Sequence, residues 1–321
     1  MPPSKLLPLL VAGFACLCFT VEAAVEVKEL PGKVRVEIDG QLLTEYCHQG
    51  APHVYFHPLL GPGGAKMTRA WPMEDVPGEE RDHPHHRGLW FSHGAVNGVD
   101  FWSESKTAGR IVHEKFLELK SGDTEGVIRS SNRWVAPDGS VPLTSIQTFR
   151  AYQTQPSERL LDFEVTLTAA DKDVVLGDTK EGSMAIRINE AMRLTQPKSQ
   201  PGKGKIVNSA GDRDGAVWGK RAEWVDYSGP VENRTVGIAF FDHPQNPKHP
   251  TRWHARDYGL FAANPFVEHE MNLAQPKGSG DIKLTAGESL TLRYRIYLHE
   301  GDAAEAKVGE RYAEYRDLPA N

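Results

Sequence analysis

The sequence predicts an all-β protein, a large antiparallel β-sandwich with one short C-terminal helix. Many segments alternate apolar and polar residues with a period of two, which is the pattern of half-buried strands. Turn signals separate these segments, and the chain contains 30 glycines and 22 prolines. Strand-like and helix-like segments do not alternate, so a doubly wound or barrel fold with parallel strands is not expected.

The predicted elements begin with a hairpin. Residues 25–30 and 33–39 alternate apolar and polar side chains on either side of Pro31 and Gly32. The later predicted strands cover residues 89–93, 113–119, 126–135, 143–153, 159–168, 183–194, 235–241, 259–261 and 289–299. The segment QPKSQPGKGK at 196–205 is predicted to be a long loop, and residues 303–316 are the one predicted helix.

The N-terminus has the pattern of a secretory signal peptide. Lys5 precedes an apolar run at 6–20, and small residues follow at Ala23 and Ala24. We expect cleavage after Ala23, a secreted or periplasmic location, and a single β-sandwich domain over 24–321. Two of the three cysteines lie in this leader, so Cys47 has no intramolecular partner and the mature fold must rest on its core.

Composition narrows the classes of partner. The formal net charge is −6, from 37 basic and 43 acidic residues, and no Lys/Arg run or basic amphipathic stretch is present. We therefore expect no nucleic acid partner and, after removal of the leader, no membrane partner. A small-molecule or oligosaccharide ligand is the remaining expectation.

Histidines are concentrated in one part of the chain, since seven of the 13 fall between residues 48 and 93. The densest stretch is HPHHRGLWFSHG at 83–94. Pro84 cannot donate a ladder hydrogen bond, which predicts that 83–86 lie in a loop or at a sheet edge. Three uses compete: proton transfer near neutral pH, a divalent metal bound within 83–93, and structural hydrogen bonding of the loop.

Two further segments are candidate partners of this stretch. The turn GDTKEG at 177–182 offers the carboxylates of Asp178 and Glu181. The segment RWHARDY at 252–258 mixes cationic and aromatic groups, a composition suited to binding sugar hydroxyl groups. Solvated turn charge and a surface aromatic loop are the structural alternatives for these two segments.

These segments define the candidate site residues. The predicted catalytic residues are His83, His85, His86, His93, Asp178 and Glu181. The predicted substrate-binding residues are Arg87, Trp90, Arg252, Trp253, His254 and Tyr258. We expect His85, His86, Arg87 and His93 to share a concave pocket with Glu181 and with at least one of Arg252, His254 and Tyr258. No resident cofactor is expected, with a divalent metal at the histidines as the alternative.

Four motifs in order resemble those of a family of exported bacterial proteins described as PmoA-like. They are HPHHRGLWFSHG at 83–94, NGVDFW at 97–102, GDTKEG at 177–182 and NPKHPTRWH at 246–254. The Pro/Gly-rich loop before the His-Arg-Gly segment and the closing strand at 290–299 are also similar to the galactose-mutarotase-like supersandwich. That second resemblance implies a supersandwich fold and acid–base chemistry on a sugar.

In the epimerases of that group a histidine is the acid and a carboxylate is the base. The resemblance thus implies an acid among the four site histidines and a base at Asp178 or Glu181. The predicted function is an exported carbohydrate-active protein, most simply an epimerase or lyase. A non-catalytic carbohydrate-binding module and a metal-dependent oxygenase or lyase are the alternatives.

Overall fold

A computed structural model describes residues 24–318 of the chain. The predicted signal peptide at 1–23 lies outside the described residues. Among the helices of the described part, none is long and apolar enough to cross a membrane.

Twenty β-strands account for most of the regular structure. The first ten are β1 (Val25–Leu30), β2 (Lys33–Ile38), β3 (Gln41–Cys47), β4 (Tyr55–Leu59), β5 (Leu89–His93), β6 (Arg110–Lys120), β7 (Glu125–Val135), β8 (Leu143–Tyr152), β9 (Glu158–Ala169) and β10 (Val174–Leu176). The others are β11 (Gly182–Arg187), β12 (Thr195–Gln196), β13 (Gln200–Pro201), β14 (Lys205–Asn208), β15 (Trp224–Val231), β16 (Arg234–Asp242), β17 (Arg252–Ala255), β18 (Leu260–Asn264), β19 (Ile282–Leu284) and β20 (Ser289–Glu300). One α-helix, α1 (Val308–Arg316), follows.

Two eight-stranded antiparallel sheets form the sandwich. The first sheet has the strand order β1-β2-β3-β4-β5-β11-β18-β17, and the second has the order β14-β15-β16-β20-β9-β8-β7-β6. The pairs β10-β19 and β12-β13 form two small additional sheets. The predicted fold class, an all-β antiparallel sandwich with a short C-terminal helix, is therefore confirmed.

The main core lies between the inner faces of the two sheets. Phe56 of β4 stacks on Phe149 of β8, with ring centroids 4.4 Å apart. Nearer the other edge, Phe240 of β16 packs edge to face against Phe261 of β18 at 5.7 Å. Aromatic pairs from facing strands thus join the sheets along their width, as is usual for a sandwich core about 10 Å thick.

Helix α1 covers the outer face of the second sheet. Val308, Tyr312 and Tyr315 pack on Phe241 of β16 and Tyr297 of β20 in a separate apolar cluster. The helix begins at Val308 rather than at 303, because Lys307 takes a left-handed conformation with φ 53° and interrupts a longer helix. Within residues 24–318, the outer face of the first sheet carries no α-helix.

The strand boundaries agree with the sequence pattern where one face of a strand is buried. The predicted hairpin is present as β1 and β2. Predicted strand 183–194 is too long, because the side chain of Asn189 accepts a hydrogen bond from Ala191 N and begins a 3₁₀ turn at Glu190–Met192. The predicted loop at 196–205 contains the short pair β12 and β13. Other 3₁₀ turns are Pro62–Gly64, Pro197–Ser199, Asp214–Val217 and His269–Met271.

Candidate functional site

A row of side chains crosses the outer face of the first sheet. Trp90 of β5 pairs with Ala185 of β11, Ala185 pairs with Ala262 of β18, and Ala262 pairs with His254 of β17. Strands lie about 4.8 Å apart, so Trp90 and His254 are separated by roughly 14 Å. Because the two residues between them are alanines, this face has a depression between two walls of large side chains.

A cleft of about 560 Å³ lies on this face. Its lining combines four histidines with acidic, cationic and aromatic groups from five segments of the chain. The lining residues are His83, His85, His86, Gly94, Asp100, Trp102, Ser103, Lys180, Glu181, His254, Arg256 and Tyr258. His85, His86, Glu181, His254 and Tyr258, which the sequence predicted to share a pocket, all belong to it.

The loop at 83–86 forms one wall by stacking on neighbouring rings. The imidazole of His83 lies between His86 and Tyr258, at centroid distances of 4.7 and 5.2 Å and nearly parallel to both. His86 in turn stacks on Trp90 at 5.4 Å. These contacts, which place the histidines over β5, depend on Gly88, whose φ is +53° and whose Cβ, if present, would overlap the carbonyl oxygen of Phe56.

A buried charge cluster supports the same loop from below. The carboxylate of Asp82 accepts hydrogen bonds from Arg69 and from Nη2 of Arg187, the latter at 3.0 Å, and contacts Nδ1 of His83 at 2.6 Å. Both arginines are fully buried. Partial burial opposes the charged form of Asp82, but the contacts with His83 and the two arginines outweigh it and lower the pKa of this carboxyl.

In this wall His83 is exposed, His85 is half-buried and His86 is buried, so His85 combines access to a ligand with partial burial. Burial, and then the neighbouring imidazole of His83, lower the pKa of His85 to about 4. At neutral pH its ring is therefore uncharged and can accept a proton.

His86 and His254 present fixed tautomers because of their buried partners. Nδ1 of His86 lies 3.4 Å from Nη1 of Arg187, and a guanidinium can only donate, so the ring proton of His86 is on Nε2. Nδ1 of His254 lies 2.9 Å from the carbonyl oxygen of Lys180 and must donate to it, so Nε2 of His254 is an acceptor. Burial lowers the pKa of His254 to about 4, and the bond to the Lys180 carbonyl opposes this only in part.

Two buried polar atoms of the cleft residues have no hydrogen-bond partner within residues 24–318. They are Nε2 of His254 and Nε1 of Trp102, an acceptor and a donor. Such groups normally have partners, so their presence in one cleft is consistent with a polar ligand.

Glu181 reaches the cleft on the turn before β11. Gly94, directly after β5, donates its N–H to the carbonyl oxygen of Glu181 at 2.7 Å, and a Cβ at Gly94 would lie 2.7 Å from Cβ of Glu181. The absent side chain of Gly94 thus lets the turn approach β5. Oε1 of Glu181 lies 3.4 Å from Nζ of Lys180.

Tyr258 and Arg256 come from the turn between β17 and β18. The guanidinium of Arg256 lies over the rings of Trp218 and Tyr258, at 5.7 and 5.4 Å from their centroids. Arg187 approaches the other rim of Tyr258, with its guanidinium carbon 4.9 Å from the centroid. Burial raises the pKa of Tyr258, and the two arginines oppose this effect. The phenol therefore stays protonated at neutral pH.

Several predicted site residues lie outside the cleft. His93 is fully buried beneath the sheet, where Nε2 contacts the carbonyl oxygen of Gly177 at 2.9 Å. Its side chain points to the inner face because strand residues alternate and Trp90 and Ser92 point outwards. Arg87 is paired with Glu104 at 2.6 Å, so its charge is already neutralised.

The carboxylate of Asp178, which was predicted to be catalytic, binds backbone N–H groups. It accepts hydrogen bonds from the N–H groups of Glu268, His269 and Gly280, and burial opposes but does not cancel the resulting fall in its pKa. These bonds hold together the loops beside the cleft, and Asp178 does not line it.

Three predicted substrate-binding residues are also placed elsewhere. Trp90 is buried beneath His86, and Trp253 is buried in the inter-sheet core, where its Nε1 donates to Ala222 O at 2.8 Å. Arg252 pairs with Glu268 at 2.8 Å. Strand β17 alternates like any other, so His254 faces the cleft and its neighbour Trp253 faces the core.

The sequence prediction did not include five of the lining side chains. They are Asp100, Trp102, Ser103, Lys180 and Arg256. The signal for Asp100 and Trp102 was present in NGVDFW at 97–102, and Ser103 follows it directly. The turn at Asn97 and Gly98 brings the chain back to β5, where Phe101 N donates to the carbonyl oxygen of His93. Lys180 and Arg256 lie inside the two segments that the sequence singled out.

Metal binding is the alternative use of these histidines and carboxylates. In the part of the chain that the structure describes, no group of three or more His, Cys, Asp or Glu side chains is arranged to hold a metal ion. The histidine rings stack on one another and on tryptophan, and the acidic groups nearest them are bound to arginine or to backbone N–H groups.

Comparison with known proteins gives one family match. The model of DUF6807, a family of unknown function, matches residues 33–313. No curated protein matches the sequence. The match is to this family, and the resemblance to PmoA-like proteins stays a prediction.

Solved structures give low similarity. A polysaccharide lyase matches 91% of this chain and 34% of its own length, with 14% identity and a TM-score of 0.33. A GalM/aldose epimerase homologue from C. elegans matches 87% of this chain and 98% of its own length, with 6% identity and a TM-score of 0.36. A glycoside hydrolase family 97 enzyme variant from Pseudoalteromonas sp. strain K8 matches 86% of this chain and 34% of its own length, with 10% identity and a TM-score of 0.34.

This chain thus spans about a third of the length of the lyase and of the hydrolase. At TM-scores of 0.33 to 0.36, we draw neither a fold family nor an activity from these matches. The supersandwich relationship stays a prediction, beside the observed antiparallel sandwich.

Proposed function

The chain belongs to the DUF6807 family, and we propose that it is a carbohydrate-active enzyme, an epimerase or lyase that transfers a proton at a sugar carbon. The observation that carries this proposal is His85, a half-buried imidazole with a pKa of about 4 that lines the same cleft as a phenol, a guanidinium and a carboxylate. A neutral, accessible imidazole is a general base at physiological pH.

The neighbouring groups supply the other requirements of such a reaction. The phenol of Tyr258 and the Nε2–H of His86 are proton donors, while Glu181 and Nε2 of His254 are acceptors for hydroxyl groups. Aromatic rings in the walls suit the apolar face of a sugar ring. The protonation states of these groups favour His85 as the base. The epimerase resemblance, in contrast, implied a histidine acid and a carboxylate base.

In the proposed step, His85 takes a proton from a sugar C–H, and the electron pair of that bond moves onto the adjoining carbonyl or carboxylate group. In an epimerase the electron pair then returns to the carbon, which takes a proton on its opposite face from the phenol of Tyr258. His85 releases its proton to water, and Tyr258 regains one from water. In a lyase the electron pair instead forms a carbon–carbon double bond, the bond to the leaving oxygen breaks, and that oxygen takes a proton from Tyr258. Both outcomes use the same base, so one assay design covers them.

The test is proton exchange at sugar carbons. Purified protein is incubated in D₂O with a panel of neutral and acidic sugars, and ¹H NMR follows loss of C–H signals and the appearance of an unsaturated product. We expect exchange or cleavage with the wild type and a loss of at least about 100-fold in His85→Gln, the size typical of a general base.

His113→Gln is the matched control, since burial also lowers the pKa of His113 to about 4 and it packs at 4.6 Å from His48, outside the cleft. This variant should keep wild-type activity. Binding of sugars without exchange or cleavage would contradict the enzyme and support a carbohydrate-binding module. Binding of none of the sugars would contradict both.

We also propose that the protein is exported and that residues 1–23 are its signal peptide. The support is the charge and hydropathy pattern of that segment. Mass spectrometry of protein recovered from the periplasm or medium should give an N-terminus at Ala24. Recovery of the full-length chain only from the cytoplasm would contradict the proposal.

A further inference from the structure

Arg256 places a positive charge in the cleft, and no acidic side chain of the described residues forms an ion pair with it. Across residues 24–318, its guanidinium has no hydrogen bond or ion pair with another side chain, and its contacts are the rings of Trp218 and Tyr258. We propose that the substrate is a sugar bearing a carboxylate, and that Arg256 binds this carboxylate. The inference rests on the proposed function and specifies its substrate class.

The other arginines around the cleft differ from Arg256 in this respect. Arg187 is paired with Asp82 at 3.0 Å, and Arg87 is paired with Glu104 at 2.6 Å. Arg252 is paired with Glu268 at 2.8 Å. Each of these guanidinium groups already holds a carboxylate, which is the usual way to keep a buried or half-buried charge. Arg256 is the member of this group whose fork remains open to a ligand.

The remaining charges of the cleft do not compensate Arg256. Nζ of Lys180 lies 3.4 Å from Glu181 and 3.8 Å from Glu270, so that cation has two acidic neighbours. Asp100 accepts hydrogen bonds from the backbone N–H groups of Trp102 and Ser103 and from the Ser103 hydroxyl. An anionic ligand would therefore give Arg256 the ion pair that Arg187, Arg87 and Arg252 already have, whereas a neutral sugar would not.

The geometry of Arg256 suits a planar anion. The two flanking rings restrict the guanidinium, so less side-chain entropy is lost when it binds. A guanidinium fork matches the two oxygens of a carboxylate with two parallel hydrogen bonds. A sulfate ester shares the negative charge but not the planar two-oxygen shape.

A carboxylate also makes the proposed proton transfer easier. The C–H bond next to a carboxylate becomes more acidic when a cation neutralises that group, because the electron pair left after proton removal is delocalised onto its oxygens. His85 would take this proton, and Arg256 would stabilise the negative charge on the carboxylate. The sugar carbon that reacts is then the one adjoining the acid group, as in a uronic acid.

The experiment compares matched ligands by isothermal titration calorimetry. The ligands are an oligogalacturonate, the neutral galactose oligosaccharide of equal length, and a sulfated form of the neutral oligosaccharide. For the wild type we expect the uronate to bind about 10- to 100-fold more tightly than the neutral sugar, the range of a charge-assisted bidentate hydrogen bond. In Arg256→Gln this preference should fall to about one.

Two variants control for charge and folding. Arg256→Lys keeps the charge without the fork and should retain only part of the preference, and its thermal melting reports whether the turn still folds. Arg129→Gln removes an exposed arginine of β7 in the second sheet and should leave the preference unchanged.

Three results overturn the inference. If the wild type binds the uronate and the neutral sugar equally well, the inferred substrate carboxylate is contradicted, but the proposed function stays in place. Stronger binding of the sulfated sugar than of the uronate assigns the site to a different anion. Binding of none of the three ligands contradicts the proposed function together with the inference.

Discussion

Nη1 of Arg187 lies 3.4 Å from Nδ1 of His86, beneath the cleft. Because a guanidinium cannot accept a hydrogen bond, this contact fixes the imidazole of His86 with its proton on Nε2. Arg187 is held in turn by Asp82, which also binds Arg69 and His83. The tautomer of His86 therefore depends on Asp82, which acts through Arg187.

Asp82→Asn should destabilise the protein strongly, because it removes the nearest carboxylate from two buried arginines and leaves them only Glu190, at 3.9 Å from Arg69 and 3.8 Å from Arg187. We expect a loss of about 3 kcal/mol in the free energy of unfolding, measured by urea denaturation. The control is Asp75→Asn in the same loop, whose pair with Arg81 is 62% exposed on both sides and should change stability by less than about 1 kcal/mol. Equal effects of the two substitutions would show that the buried arginines are stable without Asp82.

Gly88→Ala should disturb the loop that carries the cleft histidines. Gly88 has φ +53°, and an added Cβ would overlap the carbonyl oxygen of Phe56. Gly98 has a similar positive φ of +79° but nothing within 4 Å of an added Cβ. Gly98→Ala should therefore show only the backbone strain of about 1 kcal/mol, and Gly88→Ala should cost at least about 2 kcal/mol more. Thermal or urea unfolding of both variants checks this difference.

Half-buried strands were predictable from the sequence, whereas strands buried on both faces were predicted in some cases, such as β5, and missed in others. The period-two pattern of β9 and β20 gave their positions to within a few residues. Strand β17 has one partly and three fully buried residues, and β15 contains a Gly-Pro pair, so neither has a clear alternation. Sequence patterns report which face meets solvent, and they lose this signal when the second face is also covered.

The candidate site was predictable as a set of segments rather than as individual residues. The three segments around His85, Glu181 and His254 do meet at one cleft. Within each segment, however, the position of a residue on its strand decides its direction. Thus His254 faces the cleft and Trp253 faces the core, and charge pairing in three dimensions engages Arg87 while it leaves Arg256 open. Partners such as Glu104 and Glu268 lie too far along the chain to be recognised beforehand.

The pH dependence of turnover should show the low pKa of His85. Burial and the imidazole of His83 lower the pKa of His85 to about 4, so the base is in its active, unprotonated form at all pH values above about 5. We expect the acid limb of kcat/KM to have its midpoint near pH 4, in contrast to about 6.5 for an unperturbed histidine. A midpoint near 6.5 would exclude His85 as the base. Comparing His85→Gln with His254→Gln separates the two cleft histidines of similar pKa, since only the first should remove the limb together with the activity.

The buried pair of His299 and Asp226 should make the stability of the protein depend on pH, with the larger stabilisation at acidic pH. Nε2 of His299 lies 2.7 Å from Oδ2 of Asp226 between β20 and β15, and both side chains are buried. Burial opposes the charged form of this imidazole, but the bond to Asp226 outweighs burial and raises the pKa of His299 above its ordinary value of 6.5. The folded state therefore holds its proton more tightly than the unfolded chain does.

This difference in proton binding determines how the free energy of unfolding changes with pH. The contribution of the His299–Asp226 pair to the free energy of unfolding is complete below about pH 6.5, where the unfolded imidazole is also protonated, and it decreases as pH rises through the folded pKa. Asp226→Asn removes the charge that raises this pKa, so it should lower stability most at acidic pH. Urea denaturation across this range should therefore show the gap between wild type and Asp226→Asn narrowing as pH rises. NMR titration of the His299 ring gives the pKa directly, and a value below 6.5 in the wild type would contradict the prediction. Asp212→Asn, at a carboxylate of the turn after β14 that binds Asn208, is the control and should give a pH-independent difference.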